Sequence, residues 1–357
     1  MLLLSVRCTT QEKELTINTD IKDSIVTIEN DTITAVFSMM GGILFNIHEK
    51  ANNINPFACG KTTDTKNTHS DVIQKGHYIC LGRFGSLSPG EAKQGMPQDG
   101  ELCNNLWKVS GLKGFRNIKM TCDAPLDGIY VTREITLSSV DPIMKITETY
   151  ANELSIGHPI SIGQCSNFCY PFMDSSSRIF TNATFGYLQK SGNPSQYDFT
   201  WPKAVIDTLQ EAIDLSTNYY HNDFSSSNVI LDSLGWVTVA NPKMNILIGY
   251  LWKAQSYPWL NISQSSQYLN IPIKKIGFGT TGLADSLPVS QKLTTIFHGI
   301  RNFEFIDAKD NFTKNYYCFF IHLPSGYIKT VSVNQQSETV IVQLLISGKV
   351  KEFRLSI

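Results

Sequence analysis

The run Tyr130-Val-Thr-Arg-Glu-Ile-Thr-Leu137 places Val131, Ile135 and Leu137 on one side and Thr132, Glu134 and Thr136 on the other. A strand sends successive side chains to opposite faces, so this alternation predicts a half-buried β-strand. The same period recurs in Ile143-Met-Lys-Ile-Thr-Glu-Thr-Tyr150 and in Ile328-Lys-Thr-Val-Ser-Val333. It returns at the end of the chain in Thr339–Leu345 and Val350–Leu355, which flank Ser347-Gly348, a turn of hairpin type. A further hairpin is expected over Ile230–Ala240 around Gly235. Many such runs, joined by Gly, Asn, Asp, Ser and Pro clusters with no alternating β-α-β order, predict an all-β protein, a large and mainly antiparallel β-sandwich. One helix is expected, over Pro202–Ile213, where Val205, Leu209, Ala212 and Ile213 share a face and Pro202 suits the first turn.

Composition narrows the function classes. The 30 Lys and Arg against 31 Asp and Glu give a net charge of -1, which supplies no overall field for a polyanion, so nucleic acid is not an expected partner. With 42% hydrophobic and 17% charged residues the chain has ample apolar surface to bury, which excludes disorder. No window approaches the roughly 18 to 20 apolar residues of a membrane-spanning helix. The segment 1–14 is expected to be a tail and 15–357 a single domain, since no repeat, low-complexity tract or linker divides the chain. Met1-Leu-Leu-Leu-Ser-Val-Arg-Cys8 is too short an apolar run for a secretory signal. Cys8 before a polar run resembles a lipoprotein junction, except that Arg7 stands where a small residue is wanted. A cytoplasmic location, or a periplasmic or lipid-anchored one if the natural start lies upstream, is therefore expected.

The eight cysteines form no C-x-x-C pair and no metal-type doublet, so neither metal nor cofactor is expected, and buried thiols are the default. Cys165 and Cys169 are close enough in sequence to be considered as a disulfide, although spacing alone does not supply the geometry. Phosphate-binding loops, dinucleotide fingerprints, nucleophile elbows and H-E-x-x-H are all absent, and Gly277-Phe-Gly279 is a lone G-x-G. What remains is a set of loops rich in aromatic, Gly, Asn, Gln and Arg residues, the composition that stacks on and hydrogen-bonds to sugar rings.

Four segments, in order, carry a resemblance. They are Gly41-Gly42 with Asn53-Ile-Asn-Pro-Phe57; Gly76-His-Tyr-Ile-Cys-Leu-Gly-Arg-Phe-Gly85 running on to Gly95-Met-Pro-Gln-Asp-Gly-Glu101 and Trp107; Ile162-Gly-Gln-Cys-Ser166 with Pro171-Phe-Met173; and Ile248-Gly-Tyr-Leu-Trp252, Tyr257-Pro-Trp259 and Lys275-Ile-Gly-Phe-Gly-Thr280. Together they resemble the aldose 1-epimerase (galactose mutarotase-like) superfamily, and within it a bacterial epimerase-like subgroup, over roughly residues 30 to 325. The resemblance implies a supersandwich fold and a sugar ligand. It also implies a Glu that takes a proton from the anomeric hydroxyl and a His that delivers one to the ring oxygen, with a second His orienting the sugar. Matched position by position, the histidine of the "HGE" motif falls on Asp99, that of "QH" on Cys165, and the glutamate of "EFG" on Gly277. The acid-base groups are thus replaced, while Arg83, Gln164, Tyr257, Trp259, Trp252 and His77 are expected to line a sugar cleft.

Each of these residues also has a structural reading. Arg83 is equally suited to pairing with a local acid, Trp252 to filling the core, and Asp99 before Gly100 to an ordinary turn. His77 and His158 are expected to be satisfied structural histidines, and Glu101 is a weaker site residue than Asp99. Three functional readings follow from the sequence, of which the first two are a carbohydrate-binding protein with lost or altered epimerase activity and an active epimerase or hexose isomerase in which Asp99, His77 or His158 is recruited. A partner-binding β domain is the third.

Overall fold

A computed structural model describes residues 25–58, 75–84, 87–114, 116–189, 198–205, 212–217, 223–265, 273–282, 296–297 and 299–357. The tail 1–14 and nearly all of the polar stretch Cys59–Lys75 lie outside them.

Two large antiparallel sheets dominate. In spatial order the first joins Ile25–Glu29, Ile33–Ser38, Ile43–Glu49, His77–Leu81, Ile162–Phe168, Ile273–Gly279, Trp259–Ser265, Phe224–Val229 and Phe185–Leu188, and ends in the short strands Asp198–Thr200, Lys203–Val205 and Ala212–Asp214. The second joins Arg178–Thr181, Leu234–Asn241, Ile246–Lys253, Asn311–His322, Ile143–Asn152, Ile129–Leu137, Asn117–Ala124 and Lys108–Lys113. A main core lies between them, drawing Ile79, Ile162, Leu260, Ile262 and Phe278 from the first sheet and Val131, Ile146, Val237, Ile248 and Tyr250 from the second. A three-stranded sheet, Tyr327–Gln336, Thr339–Ile346 and Lys349–Ser356, buries Val340, Val342 and Leu344 with Leu247, Leu251 and Phe319 of the second sheet. That second layer explains why Ile246-Leu-Ile-Gly-Tyr-Leu-Trp252 is apolar without alternation: both of its faces are covered.

The strands expected at 130–137, 143–150, 328–333, 339–345 and 350–355 form as read. The hairpin at Ser347-Gly348 does too, both residues lying at positive φ with Ile346 opposite Lys349. Two expectations are corrected. Residues 203–205 and 212–214 are antiparallel strands rather than the ends of a helix, with Ala204 opposite Ile213 and both side chains buried. Pairing at the sheet edge overrides the local helical spacing. The hairpin around Gly235 does not form either, because Phe224–Val229 and Leu234–Asn241 belong to different sheets. Gly235 lies instead beneath Trp252, where a Cβ would stand 2.4 Å from the indole. The Cys165–Cys169 pair is likewise absent: Cys169 is disulfide-bonded whereas Cys165 is free. Among the described residues no helix is long and apolar enough to cross a membrane.

The two sheets are tied by a buried polar network. Arg133 donates through Nε to Glu148 Oε1 at 3.0 Å and through a terminal nitrogen to the Gly42 carbonyl at 2.6 Å, and its guanidinium lies 5.1 Å from the Trp107 ring centroid. Glu148 also accepts from Tyr150 at 2.5 Å and from Gln164 Nε2 at 2.6 Å. Tyr316 donates to Gln164 Oε1 at 3.1 Å and stands 2.8 Å from His77 Nε2, while Ser166 joins His77 Nδ1 to the Tyr250 hydroxyl at 2.9 Å on each side. Removing one partner of a buried ion pair strands the other charge, at a cost of about 3–5 kcal/mol. Glu148→Gln is therefore expected to lower unfolding stability by about that much in denaturant titrations, with a smaller loss in the double variant Arg133→Met, Glu148→Leu.

Glu101 is buried and accepts from the backbone N–H groups of Leu126 at 2.8 Å and Asp127 at 3.2 Å, so it anchors a turn. Burial, aided by the Glu101 charge, pushes the Asp127 carboxyl up from 3.8 to about 7. The folded state therefore keeps a proton that the unfolded chain releases near pH 4. The carboxyl's contribution is complete below that pH and is lost as pH rises through 7. Asp127→Asn is expected to remove this decline, of up to about 4 kcal/mol, when stability is measured from pH 4 to pH 8.

Candidate functional site

The strand Ile162–Phe168 lies between His77–Leu81 and Ile273–Gly279, and its alternation divides two environments. Gln164 and Ser166 face the network between the sheets. Cys165 faces the other way. In register, Cys165 stands opposite Tyr78 on one neighbour and Gly277 on the other. The row continues from Gly277 to Asn261 and from Asn261 to Ser227. Two residues along, a parallel row runs Asn167, Lys275, Ser263, Ser225. These rows form the floor of a hollow on the outer face of the first sheet.

Asp99 reaches the hollow from the turn 97–100. It takes positive φ at 63°, and Gly100 follows at 86°, where a Cβ would lie 1.9 Å from the Leu81 carbonyl oxygen. Only glycine allows the turn to press this closely on the strand below. Asp99 Oδ1 meets Lys275 Nζ at 2.8 Å, while Oδ2 lies 3.9 Å from Lys75 Nζ and accepts from the Tyr78 hydroxyl at 3.5 Å. Cys80 Sγ lies 3.8 Å from Oδ1 and 3.3 Å from Cys165 Sγ. The three positions singled out from the sequence, Asp99, Cys165 and Gly277, thus surround one place. Two adjoining cavities open there. One of about 110 Å³ is lined by Lys75, Tyr78, Gln98, Asp99 and Asn167. A smaller one of about 50 Å³ is lined by Cys165, Gln189, Asn261, Gly277 and Thr281, and Ser263 and Lys275 border both.

Charge in the hollow is sharply assigned. Burial, with the Asp99 carboxylate beside it, pushes the Cys103 thiol up to about 12. Burial likewise raises Cys80 and Tyr78, so all three groups are neutral near pH 7. Burial works against the charge of Lys275, but the Asp99 carboxylate outweighs it and holds the ammonium well above its usual range. The hollow therefore presents a carboxylate, ammonium groups, neutral thiols, amides and hydroxyls. Among the described residues, no three His, Cys, Asp or Glu side chains are grouped as metal ligands. A side chain at 277 would meet the Gln164 carbonyl at 2.9 Å and Cys165 Sγ at 3.0 Å, so the absence of one at Gly277 fits the thiol opposite.

The side chains expected to hold a sugar stand elsewhere. His77 and Gln164 point into the network by strand alternation, and burial, with the Arg133 charge, pushes the His77 pKa well down, leaving it neutral. Tyr257 is buried against Gln164, and Trp252 stacks on Phe278 with centroids 4.2 Å apart. Arg83 is fully buried and pairs with Glu91, which also accepts from Ser88 in the capping box of the one-turn helix Pro89–Lys93. Trp259 alone shares the face of Asn261 and Ser263. It is covered by Tyr187 and Phe297 and donates to the Arg301 carbonyl at 2.7 Å. His158 is half-buried on the ribbon His158–Ile160 and is not among the residues that line either cavity. The sequence reading missed Lys75, Tyr78, Lys275 and Ser263. Counting by two from Cys165, Gly277 and Asn261 along their strands finds the last two.

No family model matches the sequence, and no curated protein matches it. Solved structures do match. A galactose mutarotase-like protein from Clostridium acetobutylicum superposes with a TM-score of 0.62 at 14% identity, covering 84% of this chain and 96% of its own. A galactose mutarotase-like protein from Lactobacillus casei gives 0.58 at 14% identity over 84% of this chain and 100% of its own. Galactose 1-epimerase from Lactobacillus acidophilus gives 0.54 at 9% identity over 87% and 98%. At these identities the likeness is one of architecture, and it agrees with the two-sheet sandwich described above: the chain has the fold of the galactose mutarotase-like superfamily.

Proposed function

We propose that this chain is a carbohydrate-binding protein of the aldose 1-epimerase-like superfamily in which the epimerase chemistry is lost or altered. One observation carries the reading. Asp99, Cys165 and Gly277, the positions that the motif resemblance gives to the acid-base groups, converge on a hollow whose described polar lining is amides, hydroxyls, thiols and Asp99 with Lys75 and Lys275, with no imidazole. Ring opening of a hemiacetal needs one group to take a proton while another gives one. Gly277 has no side chain, and Lys275 stays charged near neutrality, which makes it a weak proton donor. The floor rows, with Asn261, Ser263, Asn167 and Gln189, supply the neutral donors and acceptors that sugar hydroxyls require.

The alternative, an active epimerase or related hexose isomerase, draws support from the 2.8 Å contact between Asp99 and Lys275, a carboxylate and an ammonium within proton-transfer distance. Two measurements separate the readings. Calorimetric titration with hexoses, uronic acids and short oligosaccharides is expected to show binding. Polarimetry of freshly dissolved α-glucose and α-galactose is expected to show no acceleration over the buffer rate. Acceleration that falls at least tenfold in Asp99→Asn would establish the alternative with Asp99 as its catalytic group.

A further inference from the structure

We infer that the ligand of this hollow is an acidic saccharide, a sugar bearing a carboxylate, with its anionic group seated between the ammonium groups of Lys75 and Lys275. The inference rests on the sugar-binding reading above and adds the ligand's charge to it.

The two ammonium groups approach different oxygens of one carboxylate: Lys275 meets Asp99 Oδ1 at 2.8 Å, and Lys75 lies 3.9 Å from Oδ2. Both also stand over the Tyr78 ring, 5.6 and 5.3 Å from its centroid. Among the described residues, the ionisable groups facing them are Asp99, Tyr78, Cys80, Cys103 and Cys165. Of these Tyr78, Cys80 and Cys103 are held neutral by burial, and among the described residues Asp99 supplies the one carboxylate. Two cations against one anion leave an excess of one positive charge among the described residues of a half-open cavity of about 110 Å³. The side chains of Lys75 and Lys275 keep only 11% and 25% of their exposure, so water screens this charge poorly. Amides from Gln98 and Asn167 and the Ser263 hydroxyl border the same cavity and suit ring hydroxyls. A neutral hexose would leave the excess charge unanswered. A hexuronate, carrying one negative charge, balances it, whereas a sugar phosphate brings about 1.5 to 2.

Calorimetry on the full-length protein tests this with galacturonate and glucuronate against galactose, glucose and glucose 6-phosphate. The uronates are expected to bind about tenfold more tightly than the neutral hexoses at low salt, and the advantage is expected to shrink in 0.5 M NaCl. Lys75→Met is expected to abolish the discrimination and Lys75→Arg to keep it. The salt series needs no variant, so the inference stays open to refutation if Lys75→Met does not fold. Equal affinity for uronates and neutral hexoses would overturn the acidic ligand while leaving sugar binding intact. Tighter binding of glucose 6-phosphate than of either uronate would overturn the carboxylate. Silence toward every sugar would remove the sugar-binding reading itself.

Discussion

A guanidinium and a carboxylate, Arg133 and Glu148, are buried together between the two large sheets, and their need for partners orders much of what surrounds them. Charges taken out of water are costly unless each lone pair and each N–H is answered. Here the answers come from both sheets: Tyr150 and Tyr316 from the second, Gln164 from the first, and the Gly42 carbonyl from the loop before Ile43–Glu49. An apolar core tolerates small slips of one layer over another, whereas a hydrogen-bonded one does not. A displacement of the Ile162–Phe168 strand would break the bonds of Gln164 and Ser166 together. That strand is also the floor of the hollow, so the register fixed from inside determines where Cys165 stands outside.

The outer face is held by a second device, the left-handed turn that presses Gly100 onto the Leu81 carbonyl and so places Asp99. It delivers a carboxylate from a separate segment of chain to the two lysines. The result is an ionic cluster over interior strands of a sheet, beside outward positions that include Asn167, Ser263, Ser225, Asn261 and Ser227. Fixed charge among neutral hydrogen-bonding groups is an arrangement suited to selecting a ligand by both hydroxyl pattern and charge.

The architecture was largely legible in the chain because period two survives wherever one strand face is wet, as at 130–137 and 143–150. It failed where the environment is not local. Residues 202–213 carry helical spacing, yet the ends of that segment pair at a sheet edge, and Gly235 looks like a turn glycine but makes room for Trp252. The site was half legible. Motif resemblance located Asp99, Cys165 and Gly277, which meet in the hollow. Conspicuous residue types did not mark the hollow's lining: His77, Gln164 and Tyr257 belong to the buried network between the sheets, Trp252 stacks on Phe278, and Arg83 pairs with Glu91. Lys275 and Ser263 carry no motif of their own, and only their parity with Gly277 and Asn261 marks them.

That same parity gives the Ile162–Phe168 strand two independent vocabularies. Odd and even positions answer to different neighbours, so an exchange at 165 alters the outer surface without removing the side-chain bonds of 164 and 166, whereas a side chain at 277 would press on the Gln164 carbonyl. Changes at sites with no shared partners combine nearly additively. A scaffold arranged in this way can drift from one chemistry to another, or from turnover to simple capture, while its folding free energy stays almost where it was.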